Sequence, residues 1–466
     1  MELLLTLFLC VLACLFGGLC ILGFFRQRRP GEPPLDKGWI PWLGHVLEFR
    51  RETAKFLQRM TQKHADVFTI QLGGFYVTFL QDPLSFGAFV KESREKLSFN
   101  HSILDAASQK HLKGHGLQIM TETMMNKLQN LMLHHLGSCA NQNSWKEDGL
   151  FNYCYNIVFR AGYLALYGNA TSEVLFHEFR KYDQLFPNLA YGVLTPKGKR
   201  EANRLLSFFW GTLSMERMKS KENNSGWIWD MSHNRGEGVQ ESMIDRHMFV
   251  LLWASQGNTG PSSFWLLFYL MKHPDAMEAV RNEETGFKHH RNSINLTHEM
   301  LMKTPVLDSA VEEVLRLVAA PLLTRSVLQD MTLKMADGRE FLIRKGDRMA
   351  VFPYIAVHID PEIHPDPFTF KYDRFLTPEG TKKTDFYKGG KRVRYYTMPW
   401  GSGVSMCPGR FFATNELKQF VFLMLVYFDF ELMNPDEKIP HTDHQRWGFG
   451  TMQPDREVQF RYRLRY

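Results

Sequence analysis

The sequence predicts a mainly α-helical chain with small β-sheets, preceded by one N-terminal transmembrane helix. Segments with apolar residues at helical spacing cover most of the chain, and two glycine-containing turns each join two short β-rich runs. The first residues form an uncharged apolar stretch. The chain has 466 residues, 44% of them hydrophobic, which is enough for one large, multilayered enzyme domain.

The N-terminal stretch is long enough to cross a membrane. Residues 3–25 carry no charge, and a spanning helix needs about 20 apolar residues. A cleaved secretory signal usually has a basic start and a shorter apolar run. Here the start is acidic at Glu2, and positive charge follows the stretch at Arg26, Arg28 and Arg29. The positive-inside rule then predicts a single-pass anchor at residues 1–25, with the rest of the chain in the cytosol.

A proline-rich segment comes directly after the anchor. Prolines cannot continue a helix and form stiff, extended spacers. The sequence therefore predicts a hinge at residues 26–37, containing Pro30, Pro33 and Pro34, and a catalytic domain at residues 38–466.

Cysteine content and charge limit the possible compartments and partners. Outside the apolar N-terminus the chain has only Cys139, Cys154 and Cys407, an odd number that does not indicate a disulfide framework. The net charge of +7 suits an anionic membrane surface or an acidic protein partner. The positive residues are too dispersed to indicate nucleic-acid binding.

Local patterns predict two hairpins and three prominent helices. Runs 67–72 and 75–80 flank Gly73-Gly74, and runs 333–335 and 341–343 flank Asp337-Gly338; both pairs of residues are typical of tight turns. Helical patterns cover residues 304–318, residues 411–430, and residues 242–270 with interruptions at Gly257, Gly260 and Pro261.

Cys407 lies in a glycine-rich loop directly before the helix predicted at residues 411–430. Gly403 and Gly409 stand on either side of it, and glycines let a main chain approach a flat cofactor closely. The positive end of the following helix favours a thiolate over a thiol. A thiolate is the ligand that donates electron density to a haem iron and favours O–O cleavage. Taken alone, a cysteine in such a loop is more typical of a free, buried core cysteine than of an iron ligand.

The loop resembles the haem-binding segment of the cytochrome P-450 superfamily, Phe-x-x-Gly-x-Arg-x-Cys-x-Gly. Gly403, Cys407 and Gly409 match, Trp400 replaces the phenylalanine, and Ser405 replaces the arginine. The resemblance implies the P-450 fold and a haem b cofactor whose iron is bound by Cys407. It also implies that Trp400, Gly403 and Gly409 are cofactor-binding residues of this loop.

Three further segments agree with this resemblance. Glu313 and Arg316 match a helical Glu-x-x-Arg motif, and Arg374 matches the superfamily's second arginine segment. The resemblance implies that these three residues form a buried charged triad. Arg325, after the same helix, is implied to bind a haem propionate, with possible help from the basic segment Lys110, His111 and Lys113.

Residues 253–261 match the part of the superfamily's long helix beside the oxygen site. The usual acid-threonine pair is replaced there by Gly257 and Asn258, with Thr259 next. We therefore expect Asn258 and Thr259, with ordered water, to handle protons. By their positions in the superfamily's pocket-lining segments, the expected substrate wall is Trp253, Ala254, Leu322, Phe449 and Thr451.

Five blocks resemble the sterol 12α-hydroxylases of this superfamily, with the prostacyclin synthases and cholesterol 7α-hydroxylases as near relatives. The blocks are residues 26–37, 40–45, 253–261, 400–412 and 446–454. The implied reaction of bile acid biosynthesis adds one oxygen atom at C12α of 7α-hydroxy-4-cholesten-3-one. The implied location is the endoplasmic reticulum membrane, and the implied partner is an NADPH-cytochrome reductase. The basic residues that would attract the reductase are Lys382, Lys383, Lys388, Lys391, Arg392 and Arg394.

Two other functions stay open at the level of sequence. A prostacyclin-synthase-like isomerase of a lipid endoperoxide would use the same haem-thiolate without reductase, and the missing acid at Gly257 is compatible with it. The segment between Phe99 and Lys110 is short for this superfamily, and the region 284–304 also looks shortened. A haem-binding protein with an incomplete substrate pocket and little activity is therefore the second alternative.

Overall fold

The computed structural model describes residues 10–15, 17–18, 26–93, 95–98, 108, 110–134, 144–168, 172–221, 223–233, 241–285 and 296–465. The predicted anchor at residues 1–25 lies mostly outside them, although residues 10–15 and 17–18 are helical. Within the described ranges, no helix combines the length and the apolar character that crossing a membrane requires. The short segment before Lys110 also lies outside the described residues, apart from Ser108.

The described chain is mainly helical, as predicted. Its helices are α1 (Val46–Arg51), α2 (Thr53–His64), α3 (Phe86–Val90), α4 (Gly114–His134), α5 (Leu150–Tyr167), α6 (Ser172–Ala190), α7 (Pro196–Thr212), α8 (Met215–Lys219), α9 (Gly226–His233), α10 (Glu241–Lys272), α11 (Pro274–Thr285), α12 (His298–Leu301), α13 (Pro305–Val318) and α14 (Arg410–Tyr427).

The strands are short and come from distant parts of the chain. They are β1 (Leu35–Asp36), β2 (Val67–Leu72), β3 (Phe75–Leu80), β4 (Leu97–Ser98), β5 (Lys146–Gly149), β6 (Leu323–Val327), β7 (Met331–Lys334), β8 (Glu340–Ile343), β9 (Arg348–Val351), β10 (Tyr387–Lys388), β11 (Lys391–Arg392), β12 (Phe428–Leu432) and β13 (Gln459–Leu464). The chain divides into two compact units. The first takes residues 1–100, 320–368 and 385–406; the second takes residues 101–319, 369–384 and 407–466.

The first unit contains a six-stranded sheet in the order β1-β2-β3-β9-β6-β4. The predicted hairpin is confirmed: β2 and β3 pair antiparallel, and Gly73 and Gly74 have φ angles of 56° and 81°, which the turn requires. The second hairpin is also confirmed, with β7 and β8 around Gly338 at φ 89°. Its first strand begins at Met331, two residues before the predicted run.

The predicted hinge segment, residues 26–37, lies against this sheet. Strand β1 pairs in parallel with β2, so that Leu35 lies opposite Thr69. Nη2 of Arg26 lies 2.6 Å from a carboxylate oxygen of Asp347, and Glu32 forms an ion pair with Arg344. The segment is therefore held to the first unit by main-chain and ionic contacts.

The second unit is built around α10, which packs along α5. The sequence predicted interruptions in this helix, and that prediction was wrong: α10 runs without a break from Glu241 to Lys272. Gly260 serves close packing instead, because a Cβ there would lie 2.0 Å from the ring of Tyr155. Pro261 removes only the one hydrogen bond that its own N–H would have donated.

Helix α14 is apolar on most faces and mostly buried, as residues 421–425 show with 0% exposure. The prediction that it reaches Phe430 was wrong, because the helix ends at Tyr427 and β12 follows. Apolar periodicity cannot separate the end of a buried helix from a short strand. Pairing decides the outcome: β12 bonds to β13, and β13 bonds to β5, in a three-stranded antiparallel sheet.

Candidate active site

Cys407 lies three residues before the first residue of α14, in the second unit. Its sulfur accepts hydrogen bonds from the main-chain N–H groups of Gly409 and Arg410. Burial nevertheless raises the pKa of the Cys407 thiol, although these hydrogen bonds and the Arg410 charge act in the opposite direction. The amide hydrogen bonds at the start of α14 thus act in the direction that the sequence predicted, toward a thiolate.

The loop that leads to Cys407 belongs to the first unit and depends on left-handed glycines. Trp400 is half-buried at its start. Gly401 and Gly403 have φ angles of 72° and 63°, where side chains other than glycine are strained. A Cβ at Gly403 would also lie 2.7 Å from the carbonyl oxygen of Val90. Position 403 therefore requires glycine for two reasons, its left-handed backbone conformation and the close carbonyl oxygen of Val90.

Glu313, Arg316 and Arg374 meet in the interior of the second unit. Arg316 donates to both carboxylate oxygens of Glu313, at 2.7 Å from Nε and 2.9 Å from Nη2. Nε of Arg374 donates to the same carboxylate at 2.9 Å, and the main-chain N–H of Lys371 donates to it at 3.1 Å. Glu313 and Arg316 are 0% exposed, and Arg374 is 8% exposed. A buried charge held by this many donors is strongly destabilised when one partner is removed.

Asn258 and Thr259 lie in the middle of α10, and main-chain groups bind both side chains. The Asn258 amide oxygen accepts a hydrogen bond from the N–H of Thr451 at 3.0 Å. The Thr259 hydroxyl donates to the carbonyl of Ser255 at 3.0 Å. A hydroxyl that donates in this way still has lone pairs with which to accept a hydrogen bond from water.

Aromatic side chains surround two of the predicted wall residues. The ring of Phe186 lies 4.4 Å from that of Trp253 and 5.2 Å from that of Phe449, measured between centroids. Tyr191 lies 5.6 Å from Phe449. These spacings are typical of favourable aromatic pairs. The structure therefore brings Trp253 and Phe449 into one aromatic cluster, held together by Phe186.

The other predicted wall residues are placed differently. Ala254 is exposed on α10, next to Trp253 in the chain. Thr451 is 4% exposed, and its hydroxyl lies 3.2 Å from that of Ser262. Leu322 belongs to the first unit, where it is half-buried directly before β6.

Sequence reasoning missed the residues of α6 that contact this cluster. Phe186 packs on both Trp253 and Phe449, and Asp183, one turn earlier, is fully buried. One signal was present: Asp183 is a carboxylate within a stripe of apolar residues at helical spacing, Leu175, Phe179, Tyr182 and Phe186. An ionisable residue inside an apolar stripe indicates a buried polar partner, which periodicity alone does not identify.

The cytochrome P450 family matches residues 210–460 of this chain. The chain belongs to the cytochrome P450 family. A structure titled retinoic acid bound cyanobacterial CYP120A1 matches 94% of this chain and 100% of its own, with a TM-score of 0.70 and 21% identity. The predicted superfamily and its fold are thereby confirmed.

Two curated P450 relatives cover nearly the whole chain. The 7-alpha-hydroxycholest-4-en-3-one 12-alpha-hydroxylase of Homo sapiens is 50% identical over 97% of this chain and 97% of its own length. Prostacyclin synthase of Homo sapiens is 44% identical over 94% of this chain and 95% of its own length. The alignment with the hydroxylase extends over 487 positions, more than the 466 residues of this chain. The relative therefore has residues that this P450 lacks.

Membership of the P450 family implies a haem cofactor, and several described residues have side chains whose chemistry suits one. Cys407 offers a soft sulfur ligand, the type that P450s use for haem iron. In the haem-binding loop, the hydroxyls of Thr397 and Ser402 are buried without a hydrogen-bond partner among the described residues. Buried hydroxyls of this kind favour a polar group on a bound molecule.

Arg325 is the P450 residue expected to bind a haem propionate. It lies on β6 in the first unit, 8% exposed, and donates to the carbonyl of Thr324 at 2.9 Å. Its guanidinium also lies 5.1 Å from the ring centre of Phe89. Burial lowers the pKa of Arg325. A buried guanidinium is stabilised by an anion, and a propionate is one.

Several basic residues that the sequence predicted to bind a propionate or to attract the reductase form ion pairs within the chain. Lys110 and His111 both bind the carboxylate of Asp230, at 2.7 Å and 2.6 Å, in the second unit. The residues before the haem-binding loop are divided between the units, and several of them form ion pairs. The pairs are Lys382 with Glu312, Lys388 with Asp360, and Arg392 with Asp385.

Proposed function

We propose that this chain is a haem-thiolate monooxygenase that hydroxylates a sterol at C12α of 7α-hydroxycholest-4-en-3-one. The observation that carries the proposal is Cys407, which stands before α14 with its sulfur hydrogen-bonded, in a chain 50% identical to a 12-alpha-hydroxylase. When haem is bound, it supplies dioxygen activation and C–H hydroxylation. The protein supplies the ligand, the orientation of the sterol and the protons.

Each predicted residue has a role in this proposal. Cys407 binds the iron, Trp400, Gly403 and Gly409 shape its loop, and Arg325 binds a propionate. The triad of Glu313, Arg316 and Arg374 stabilises the second unit, which carries Cys407. Thr259 and Asn258 supply the polar groups through which protons reach the site with ordered water. The apolar wall for the sterol consists of Trp253, Ala254, Leu322, Phe449 and Thr451.

The proposed setting is the cytosolic face of the endoplasmic reticulum. Residues 1–25 anchor the chain in the membrane, residues 26–37 connect the anchor, and residues 38–466 carry the catalytic site. NADPH provides electrons indirectly, through an NADPH-cytochrome reductase. Basic residues on the catalytic domain attract this partner electrostatically.

The test is the carbon monoxide difference spectrum of the reduced, haem-loaded chain. We expect a band at the thiolate-ligated position that disappears in Cys407→Ser and remains in Cys154→Ala, which removes a buried cysteine elsewhere in the same unit. A haem-loaded wild-type protein without that band would contradict the proposal. With the band present, product hydroxylated at C12 should form only when reductase and NADPH are added.

A second function has support of its own. No carboxylate occurs between Trp253 and Pro261, and the prostacyclin synthase relative is 44% identical. An isomerase of a lipid endoperoxide needs neither reductase nor a proton relay. Turnover of an endoperoxide without NADPH, together with no turnover of the sterol, would favour the isomerase over the hydroxylase.

A further inference from the structure

Asp183 is a fully buried carboxylate that four side chains bind. Nη2 of Arg446 donates to one of its oxygens at 2.8 Å. Arg180, Tyr155 and Gln453 donate to the other, at 3.0 Å, 3.2 Å and 2.6 Å. The main-chain carbonyl of Asp183 also accepts a hydrogen bond from Nη1 of Arg446 at 3.1 Å. One residue of α6 therefore binds two residues of the C-terminal loop by side-chain contacts.

The two loop residues that Asp183 binds mark the ends of the segment 446–453. Arg446 and Gln453 are 4% and 7% exposed, so both contacts are shielded from water. Between these ends, α10 binds the same segment. The indole N–H of Trp265 donates to the carbonyl of Met452 at 2.8 Å, and Asn258 accepts from the N–H of Thr451 at 3.0 Å. The segment is thus held at both ends by α6 and in the middle by α10.

The residue one turn after Asp183 connects this network to the substrate wall. Phe186 contacts Phe449, at the centre of the 446–453 segment, and Trp253 on α10. A change in the position of the segment moves Phe449 and Thr451 together, because Asp183 holds both ends of the segment that carries them. In a site that orients a rigid molecule, small displacements of the wall change which C–H bond is presented.

We propose that Asp183 is a positioning residue that fixes the 446–453 segment and so determines how the sterol is oriented. This inference rests on the proposed sterol hydroxylase function. Asp183 does not touch the substrate; it acts through Arg446, Gln453 and Phe449. The buried guanidinium of Arg446 requires an anionic partner, and the carboxylate of Asp183 is that partner. A neutral side chain of equal size at position 183 would leave the charge of Arg446 uncompensated.

The first experiment compares Asp183→Asn with wild type, each with haem and the full chain. Glu178→Gln is the matched control, because Glu178 lies on the same helix but pairs at the surface with Lys181 and Arg204. We expect Asp183→Asn to retain the carbon monoxide band. Its KM for the sterol should rise about tenfold while kcat falls less than about threefold, with products at carbons other than C12. The control should match wild type in all of these measurements.

Hydrogen exchange of the peptide that covers residues 446–453 supplies a measurement independent of turnover. Exchange should be faster in Asp183→Asn than in wild type and Glu178→Gln, because the segment loses its hold at both ends. Unchanged exchange and an unchanged product distribution would overturn the inference. If the wild-type protein does not hydroxylate the sterol, the proposed function is wrong. Hydrogen exchange of residues 446–453 would still show whether Asp183 holds the segment.

A milder variant keeps the test decisive if Asp183→Asn loses haem. Gln453→Leu removes two hydrogen bonds at one end of the segment, the one donated to Asp183 and the one accepted from Arg180, and leaves Asp183 paired with Arg180 and Arg446. We expect normal haem content, a smaller rise in KM and the same direction of change in the products. Gln453→Leu indistinguishable from wild type in exchange and in products would contradict the proposal.

Discussion

The side-chain oxygen of Asn258 accepts the main-chain N–H of Thr451 at 3.0 Å, which joins α10 to the C-terminal segment 446–453. Gly450 makes this contact possible. It has a φ angle of 109°, and a Cβ there would lie 2.2 Å from the Asn258 oxygen. The residue expected to handle protons is therefore also the residue that fixes Thr451, and mutation can separate the two roles.

Asn258→Leu should weaken sterol binding more than it slows the chemical step. Leucine leaves the Thr451 N–H without its acceptor, which costs roughly 1–3 kcal/mol where the group is shielded from water. Asn258→Asp retains an acceptor oxygen and is expected to keep sterol affinity close to that of wild type. The measurement is the sterol-induced change in the haem spectrum, titrated for all three proteins. If Asn258→Leu binds the sterol normally but consumes NADPH without forming product, the main role of Asn258 is in proton delivery.

Local patterns in the sequence predicted much of the fold, because the features concerned are short-range. The Gly73-Gly74 turn and the helix that ends at Val318 follow from neighbouring residues alone. The end of α14 could not be predicted from neighbouring residues, because Phe428 belongs to a strand that pairs with a distant one, in which Leu464 lies opposite it. Pairing across the chain carries information that a local pattern lacks.

Distance along the chain also separates the site residues that the sequence predicted from those that it missed. Glu313 and Arg316 are visible as an i, i+3 pair on one helix. Asp183 and Arg446 are 263 residues apart, and no spacing rule relates them. Gly260 was interpreted as a helix interruption because the ring of Tyr155, which it accommodates, comes from a different helix.

Arg316→Ala should abolish haem incorporation. The substitution leaves Glu313 buried with less than its full set of donors, and breaking a buried pair in this way costs about 3–5 kcal/mol. Lys303→Ala is the control, because Lys303 pairs with Glu299 at the surface with side chains 68% and 80% exposed. Such a pair contributes about 0–1 kcal/mol. The measurement is the haem content per mole of purified protein for wild type and both variants. A normal haem content in Arg316→Ala would contradict the proposed role of the triad.

Two alanine substitutions in α10 should change stability in opposite directions. At Gly260 a Cβ would lie 2.0 Å from the ring of Tyr155, so that Gly260→Ala forces two helices apart, at a cost of about 1–3 kcal/mol or more. At Gly257 the nearest atom, Nε1 of Trp253, would be 3.7 Å away, an ordinary contact. Gly257→Ala should therefore stabilise the helix by roughly 0.5–1 kcal/mol, because alanine loses less backbone entropy than glycine. Urea unfolding of both variants measures the difference, and equal effects would show that α10 and α5 do not pack as described.

The contact of the 26–37 segment with the first unit should depend on pH through Asp36. Burial raises the pKa of this carboxyl, but hydrogen bonds from Lys63, His64 and His45 outweigh it and hold the pKa well below its ordinary value of 3.8. A group whose folded pKa is depressed stabilises the fold above its unfolded pKa and loses that contribution as the pH falls through the folded value. We therefore expect the stabilisation from Asp36 to be complete near neutral pH and to decline only in acid, below about pH 4.

Asp36→Asn tests this dependence, with Asp337→Asn as a control that alters a surface pair with Arg339. At neutral pH the Asp36 variant should unfold at lower urea concentration than wild type, because the amide cannot form the charged contacts. The two unfolding midpoints should approach each other as the pH falls below about 4, since protonation removes the same charge from wild type. The Asp337 variant should follow wild type throughout. A constant difference between Asp36→Asn and wild type across this range would show that the contribution of Asp36 is not its charge.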